Sequence, residues 1–339
     1  MAESQAVQAG PGRRWVQPRS SIEPKLDRDA VRPIRLPPLR RFRARIRARG
    51  RLWATAYAFV LPAFALTALF SIVPLFMVIR RSLYRGNIFD TDLTFAGLRN
   101  YKALFAAGGG HSLVVTATYT IGFVLVSLVA GMGIAFLLDL PLPGLKAVRA
   151  LFIIPLVVPA VATAFIWFIL FQPQTGLFNR ILTGAGLPQV TLDNPTVAMV
   201  AIIGFGAWQF FGEVVILFLA ALKTLPNDVI EASIVDGATG WQQLRYIRLP
   251  LLRPQTALIT VISTLTGLQA FTQIFVLTNG GPDGATQTAL YYVYNQAFGL
   301  GAAGSIGIAD AMAVLLFVIS ILVTIAQVVI VGRAARAVS

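Results

Sequence analysis

The segment from Leu225 to Pro250 reads LPNDVIEASIVDGATGWQQLRYIRLP and decides the fold. Pro226 suits the first turn of a helix, and Gly237 suits the left-handed residue that follows a helix end. Pro250 closes a second helix. The apolar side chains predicted to share one surface of this helical hairpin are Ile230, Ile234, Leu244 and Ile247. Because the hairpin lies in a charged loop with no lipid to face, we predict that it binds a protein partner.

Long apolar stretches lie on both sides of this hairpin. The chain has 339 residues, of which 56% are hydrophobic and 12% are charged, about half of the roughly 25% charged residues of a soluble domain. Crossing a bilayer takes about 20 apolar residues. Six stretches meet this length: Leu52–Ile79, Ser112–Leu138, Ala150–Phe171, Val197–Leu222, Thr256–Leu277 and Ala311–Val331. Glu213 is the only charged residue within them. The composition therefore predicts an all-α membrane protein with six transmembrane helices.

Positive charge is concentrated at the N-terminus. Residues 1–51 contain 14 Lys or Arg against 4 Asp or Glu, a net charge of 14 − 4 = +10. We predict a basic, largely disordered tail over 1–51, followed by a six-helix membrane domain over 52–332. Such a tail could bind nucleic acid or anionic lipid headgroups, but the simpler interpretation is that it keeps this end in the cytoplasm. We expect no nucleic-acid partner.

The distribution of Lys and Arg between loops predicts the orientation. With the N-terminus inside, the loops and termini on that side hold 22 Lys or Arg, and the loops on the other side hold 6. This difference predicts that both termini are cytoplasmic. Three arginines conflict with this orientation, because they follow the first span on the predicted outer side: Arg80, Arg81 and Arg85.

The sequence lacks residues that several kinds of catalytic and metal-binding chemistry require. It contains no Cys and a single His, His111, so a Cys- or His-clustered metal site and thiolate catalysis are excluded. It contains no G-x-x-x-x-G-K-[ST] loop to hold ATP phosphates. A membrane enzyme would need a nucleophile and a base, and the sequence offers no such set. We predict a non-catalytic chain with no metal and no cofactor of its own.

The hairpin also carries a specific resemblance. The pattern Glu231-Ala232 with Gly237, followed by Ile247-x-Leu249-Pro250, resembles the EAA loop of binding-protein-dependent ABC importer permeases. Ser233 stands where a second alanine is usual, and Leu244 where an aromatic residue is common. Four further segments, in the same order along residues 57–332, resemble the sugar-type members that include maltose and glycerol-phosphate permeases. They are Gly97–Tyr101, Ile154-Pro155 with Trp167, Gly176–Asn179 and Thr278–Pro282.

This resemblance implies a type I ABC importer permease fold and a set of partners. The implied partners are a second EAA-type permease, two ATPase subunits that bind ATP and Mg, an extracytoplasmic substrate-binding protein and the lipid bilayer. The implied location is the bacterial inner or plasma membrane. The hairpin 225–250 would couple the chain to the ATPase. The implied coupling residues are Glu231, Ala232, Asp236, Gly237, Ile247, Leu249 and Pro250.

Polar residues within the fourth and fifth spans are candidates for a substrate path. Gln209 and Glu213 are four residues apart and share a helix face. The fourth and fifth spans run in opposite directions, and their residues can be counted from the centre of each span at about 1.5 Å per residue. This count predicts that Gln209 lies at the same membrane depth as Thr266, and Glu213 at the same depth as Ser263. Amides, hydroxyls and aromatic faces suit a carbohydrate, and the resemblance implies the same two spans. The candidate path residues are Gln209, Phe210, Glu213, Ser263, Thr266, Gly267 and Ala270.

Other interpretations of these residues remain open. Gln209 and the hydroxyl residues could form hydrogen bonds between helices. Glu213 could pair or be protonated within a helix interface, or could bind the coupling ion of a secondary transporter. The leading prediction is a permease subunit of an ATP-driven importer whose cargo is a mono- or disaccharide, an amino sugar or a polyol.

Overall fold

Most of the predicted membrane domain is helical in the computed structural model, which describes residues 57–86, 93–140, 143–299 and 306–336. The predicted tail, residues 1–51, lies outside these ranges. The helices are α1 (Tyr57–Arg81), α2 (Arg99–Ala106), α3 (Gly109–Leu138), α4 (Leu145–Val157), α5 (Ala160–Leu170), α6 (Leu177–Gly184), α7 (Pro195–Leu222), α8 (Asn227–Val235), α9 (Gly240–Gln243), α10 (Leu249–Leu251), α11 (Arg253–Leu268), α12 (Ala289–Phe298) and α13 (Ile306–Arg336). Three π-helical segments are Ala68–Ile72, Leu244–Arg248 and Ile274–Thr278. Strands β1 (Tyr84–Arg85) and β2 (Thr94–Phe95) pair antiparallel, with Tyr84 opposite Phe95.

Four of the predicted spans are unbroken helices in the described residues. They are α1, α3, α7 and the segment Ile306–Val331 of α13, each long and apolar enough to cross a bilayer. Residues 52–56 of the first predicted span lie outside the described residues, and α1 continues to Arg81, two residues beyond the predicted Ile79. The last predicted span begins earlier than expected, because α13 is already helical at Ile306, five residues before the predicted Ala311.

The predicted span Ala150–Phe171 is not a straight helix. It is divided into α4 and α5, which meet at an angle of 98°. The residue before a proline is disfavoured in the α region, and Val158 before Pro159 is extended, at φ −78° and ψ 138°. The proline therefore ends α4 and starts α5 in a new direction.

The predicted span Thr256–Leu277 is also interrupted. Helix α11 ends at Leu268, and helical structure resumes only after Ala270 and Phe271. At 16 residues, α11 is shorter than the bilayer is thick. The carbonyl of Ala270 accepts a 2.9 Å hydrogen bond from the Thr288 hydroxyl. A broken helix is tolerated at membrane depth where other groups satisfy the freed backbone.

Helices α3, α7 and α11 pack closely at small residues. A Cβ built on Gly206 of α7 would overlap the Tyr119 hydroxyl of α3, and one built on Gly267 of α11 would lie 2.9 Å from Thr120 Cγ2. Small residues at helix crossings allow backbones to approach. Tyr119 and Phe123 belong to the buried core that these helices share.

The C-terminal end of α1 is fixed to α2 and α13. The Asn100 amide donates hydrogen bonds of 2.8 Å to the carbonyls of Ser82 and Tyr84. Arg81 forms a 3.1 Å ion pair with Asp310, which is buried. Arg81, one of the three arginines that disagreed with the predicted orientation, is therefore paired within the fold.

Candidate functional site

A cavity of about 280 Å³ lies where α3, α7 and the break after α11 meet the α4–α5 bend. The residues that line it are Tyr119, Phe123, Leu156, Ala160, Gly206, Gln209, Phe210, Thr266, Gln269, Ala270, Phe271, Thr272 and Gln273. Three amides, two threonine hydroxyls and one phenol lie among aromatic rings, and none of the thirteen is charged. The lining can form hydrogen bonds with a ligand and pack against its apolar faces, without offering a fixed charge.

The break after α11 creates much of this wall. Because the helix stops at Leu268, Gln269, Phe271 and Gln273 reach the cavity together. The Gln273 Nε2 donates a 2.6 Å hydrogen bond to the Tyr119 hydroxyl, which joins the break to α3. This bond fixes the position of one amide and one phenol on the wall.

Four of the seven predicted path residues line the cavity: Gln209, Phe210, Thr266 and Ala270. Three do not. Ser263 is fully buried, and Gly267 faces Thr120 of α3. Glu213 is half-buried one helical turn from Gln209, outside the lining. The role of all seven in transport remains a prediction.

Several residues that line the cavity were not among the predicted path residues. Tyr119 and Phe123 belong to the second predicted span, and Leu156 and Ala160 to the bent third one. A tyrosine in a long apolar helix is a recognisable signal, because its hydroxyl needs a partner when buried. The α4–α5 residues reach the cavity only through the bend.

In the hairpin, α8 is followed by a second helical stretch, in which α9 continues through the π-helical segment into α10. The prediction that Pro250 closes the second helix is wrong, because Pro250 lies inside α10. Gly237 follows α8 with a left-handed φ of +77°, and its N–H donates to the Ile234 carbonyl. Pro226 lies just before the helix, at its N-cap. Thr239 and Gln242 form a reciprocal capping box that starts α9. Ser233, which replaces the usual alanine, is buried and donates its hydroxyl to the Ile230 carbonyl.

The exposed apolar surface of the hairpin differs from the predicted one. Ile230 packs against the main core, and Leu244 and Ile247 are half-buried. The most exposed large apolar side chains in the hairpin are Ile234, Val235, Trp241 and Tyr246. Trp241 and Tyr246 are 67% and 69% exposed, and both residue types are enriched at binding hot spots.

The predicted coupling residues divide into two groups. Glu231, Ala232, Asp236 and Gly237 are exposed, whereas Ile247, Leu249 and Pro250 are half-buried along the π-helical segment and α10. Between them and the membrane helices, Arg248 pairs at 3.6 Å with Asp139 at the end of α3. The hairpin is thus tied to the helix that carries Tyr119.

Neither the cavity nor the hairpin resembles a metal or catalytic centre. Within the part of the chain that the structure describes, no cluster of three His, Asp or Glu side chains could hold a metal ion. An uncharged cavity lined by amides, hydroxyls and aromatic rings is suited to binding a neutral polar ligand.

Comparisons with known proteins agree with this description. The family model described as "Binding-protein-dependent transport system inner membrane component" matches residues 124–336. The trehalose/maltose transport system permease protein MalF of Thermococcus litoralis is 33% identical over 271 residues, which cover 79% of this chain and 90% of that protein. The sn-glycerol-3-phosphate transport system permease protein UgpA of Agrobacterium fabrum is 30% identical over 273 residues, 80% of this chain and 92% of that protein.

A solved structure shares the fold. It is the crystal structure of a bacterial ABC transporter involved in the import of the acidic polysaccharide alginate. One of its chains superposes with a TM-score of 0.72 at 23% identity, covering 84% of this chain and 99% of that chain.

Proposed function

Since the chain belongs to the family of binding-protein-dependent transport system inner membrane components, we propose that it carries a neutral carbohydrate through the membrane in an ATP-driven importer. Membership confirms the predicted type I permease fold and a non-catalytic, membrane-embedded subunit. The cargo, the coupling and the orientation belong to the proposal.

The proposal of a neutral carbohydrate as the cargo rests on the residues that line the cavity. Its polar groups are amides and hydroxyls, represented by Gln209, Thr266 and Gln273, and its rings include Phe210 and Phe271. Sugar hydroxyls can exchange hydrogen bonds with such groups, and the apolar faces of a sugar ring can pack on aromatic rings. A charged cargo would leave its charge without a partner in this lining.

The two named relatives suggest different cargoes. One is named for trehalose and maltose, which are neutral, and the other for glycerol-3-phosphate, which is anionic. The cavity lining contains no Lys or Arg to pair with a phosphate. The lack of a cation in the cavity lining therefore favours a neutral sugar or polyol over a phosphate ester as the cargo.

The exposed hairpin is the proposed contact with the ATPase. Trp241 and Tyr246 would enter a groove of that subunit, with Glu231 and Asp236 beside them. ATP and Mg would bind to the two ATPase subunits, and a second permease would complete the pore. An extracytoplasmic binding protein would deliver the sugar. This arrangement requires the hairpin to lie in the cytoplasm. The distribution of Lys and Arg predicts this orientation, in which both termini are also cytoplasmic.

An ion-coupled transporter would need Glu213 to act in the path. The cavity lining does not include this residue, so the geometry gives no support to that alternative. The two mechanisms also differ in their source of energy, which makes them separable by experiment.

The proposal is tested by uptake into proteoliposomes. The chain is reconstituted with its sister permease, ATPase subunits and binding protein, and ATP is sealed on the hairpin side. We expect uptake of a labelled neutral sugar that requires ATP and is not competed by glycerol-3-phosphate. Competition by glycerol-3-phosphate as strong as by the sugar itself would contradict the assignment of a neutral cargo.

A further inference from the structure

A second groove lies between α4 and α7, at the end of α7 that leads into the hairpin. Its volume is about 290 Å³. Its lining combines two cationic side chains with five apolar ones: Arg149, Lys223, Ile153, Val215, Ile216, Leu219 and Ala220. None of these residues lines the cavity that contains Gln209 and Gln273, which we call the central cavity.

The charged and apolar parts of the groove are separated along the helix axis. Lys223 follows the last residue of α7, and Val215 lies eight residues earlier, which corresponds to about 12 Å at a rise of 1.5 Å per residue. Arg149 lies in the first turns of α4, and Ile153 one turn further in. The groove therefore has a cationic end where the membrane helix stops and an apolar floor that extends into the span.

Neither cation takes part in the two ion pairs found in the described ranges. One guanidinium nitrogen of Arg149 donates a 2.6 Å hydrogen bond to the Leu138 carbonyl at the end of α3, and its Nε is buried without a partner among the described residues. Lys223 is exposed, so its ammonium group can reach a ligand. The negative ends of the α3 and α7 dipoles would each favour one nearby cation. They do not account for the apolar groove that both cations line.

We propose that this groove binds an anionic phospholipid. The phosphate lies between Arg149 and Lys223, and one acyl chain follows Ile216, Leu219 and Ala220 into the hydrocarbon region. Basic pockets between membrane helices are suited to acidic headgroups, and the apolar floor extends from Lys223 along α7 toward the middle of the predicted fourth span. The site is independent of the cargo and lies beside the hairpin.

Native mass spectrometry of the full-length chain tests this proposal. The protein is released from nanodiscs that contain equal amounts of palmitoyl-oleoyl phosphatidylglycerol and phosphatidylcholine, and the lipids that stay bound are counted. The native chain is expected to retain phosphatidylglycerol in preference to phosphatidylcholine. Lys223→Gln should reduce this preference about fivefold, the effect of one cation near a membrane surface. Lys223→Arg should preserve it.

Matched variants separate the groove from general surface charge. Arg180 is an exposed cation on α6, so Arg180→Gln removes the same charge elsewhere and should leave the preference intact. Ala220→Trp fills the apolar floor without changing charge and should also displace the lipid, whereas Val200→Trp on the same helix should not. Equal retention of the two lipids by the native chain would overturn the proposal. So would equal losses in Lys223→Gln and Arg180→Gln.

Discussion

The side-chain amide of Gln273 donates a 2.6 Å hydrogen bond to the hydroxyl of Tyr119 across the wall of the central cavity. The tyrosine belongs to α3, and the glutamine to the segment that follows the break in α11. A hydroxyl that accepts one hydrogen bond can still donate its own proton. The Tyr119 proton has no acceptor among the described residues, and we predict that a cargo oxygen accepts it.

Loss of this hydroxyl should weaken cargo binding. A hydrogen bond contributes about 1 kcal/mol net, which corresponds to about fivefold in affinity. Tyr119→Phe should therefore raise the KM for sugar uptake about fivefold, with a smaller effect on kcat. Tyr101→Phe is the matched control, because its hydroxyl lies 3.0 Å from that of Ser82, and neither residue lines the cavity. An unchanged KM in Tyr119→Phe would remove this residue from the binding site.

Gln209 and Glu213 should differ in their effects on transport. Gln209 lines the cavity and Glu213 does not, although the two are one helical turn apart. Gln209→Leu removes a neutral partner for sugar hydroxyls and should raise the KM about fivefold. Glu213→Gln should change it less than twofold. The reverse order in the same uptake assay would place the path along Glu213 and the buried face of α11.

The ion pair between Arg81 and Asp310 should respond unequally to removal of its two partners. The side chain of Asp310 is 11% exposed and that of Arg81 is 38% exposed. Arg81→Gln leaves a buried carboxylate without a partner, at a cost of about 3 kcal/mol. Asp310→Asn leaves a cation that can reach water, and should cost about 1 kcal/mol. Thermal unfolding of the purified chain in detergent should therefore show the larger loss for Arg81→Gln, and equal losses would contradict this prediction.

The exposed aromatic residues of the hairpin should dominate its binding to the ATPase. A hot-spot residue contributes about 2 kcal/mol or more, so Trp241→Ala or Tyr246→Ala should each weaken the association about 30-fold. Phe298→Ala is the control, since Phe298 is 65% exposed but belongs to α12, outside the hairpin. Association is measured by titrating the purified ATPase subunit onto the permease in nanodiscs. Weakening by Phe298→Ala alone would assign the ATPase contact to a different surface.

Local signals explain why the hairpin could be predicted from the sequence. Gly237 adopts the left-handed conformation that few other residues tolerate, and Pro226 precedes α8 closely. These features act within a few residues of where they stand. The apolar surface was harder to predict, because half-burial of Leu244 and Ile247 depends on the remainder of the fold.

The cavity depends on tertiary structure that the hydrophobic pattern does not encode. The stretch from Thr256 to Leu277 contains no proline and no charged residue, and Gly267 is the only local signal beside the end of α11 at Leu268. An unbroken helix places Gln269 and Gln273 on a neighbouring stripe, whereas the break brings both into the lining. The dipeptide Val158-Pro159 does carry a local signal for a bend, but the sequence does not give the angle of 98°.

ATP-dependent uptake of a labelled neutral disaccharide by the reconstituted transporter tests the central claim most directly, with the native chain compared to a Trp241→Ala/Tyr246→Ala variant. The account predicts uptake that requires ATP on the hairpin side, ignores an imposed proton gradient, and falls at least tenfold in the variant while the permease pair stays assembled. Accumulation driven by the proton gradient without ATP, and indifferent to the hairpin, would contradict it.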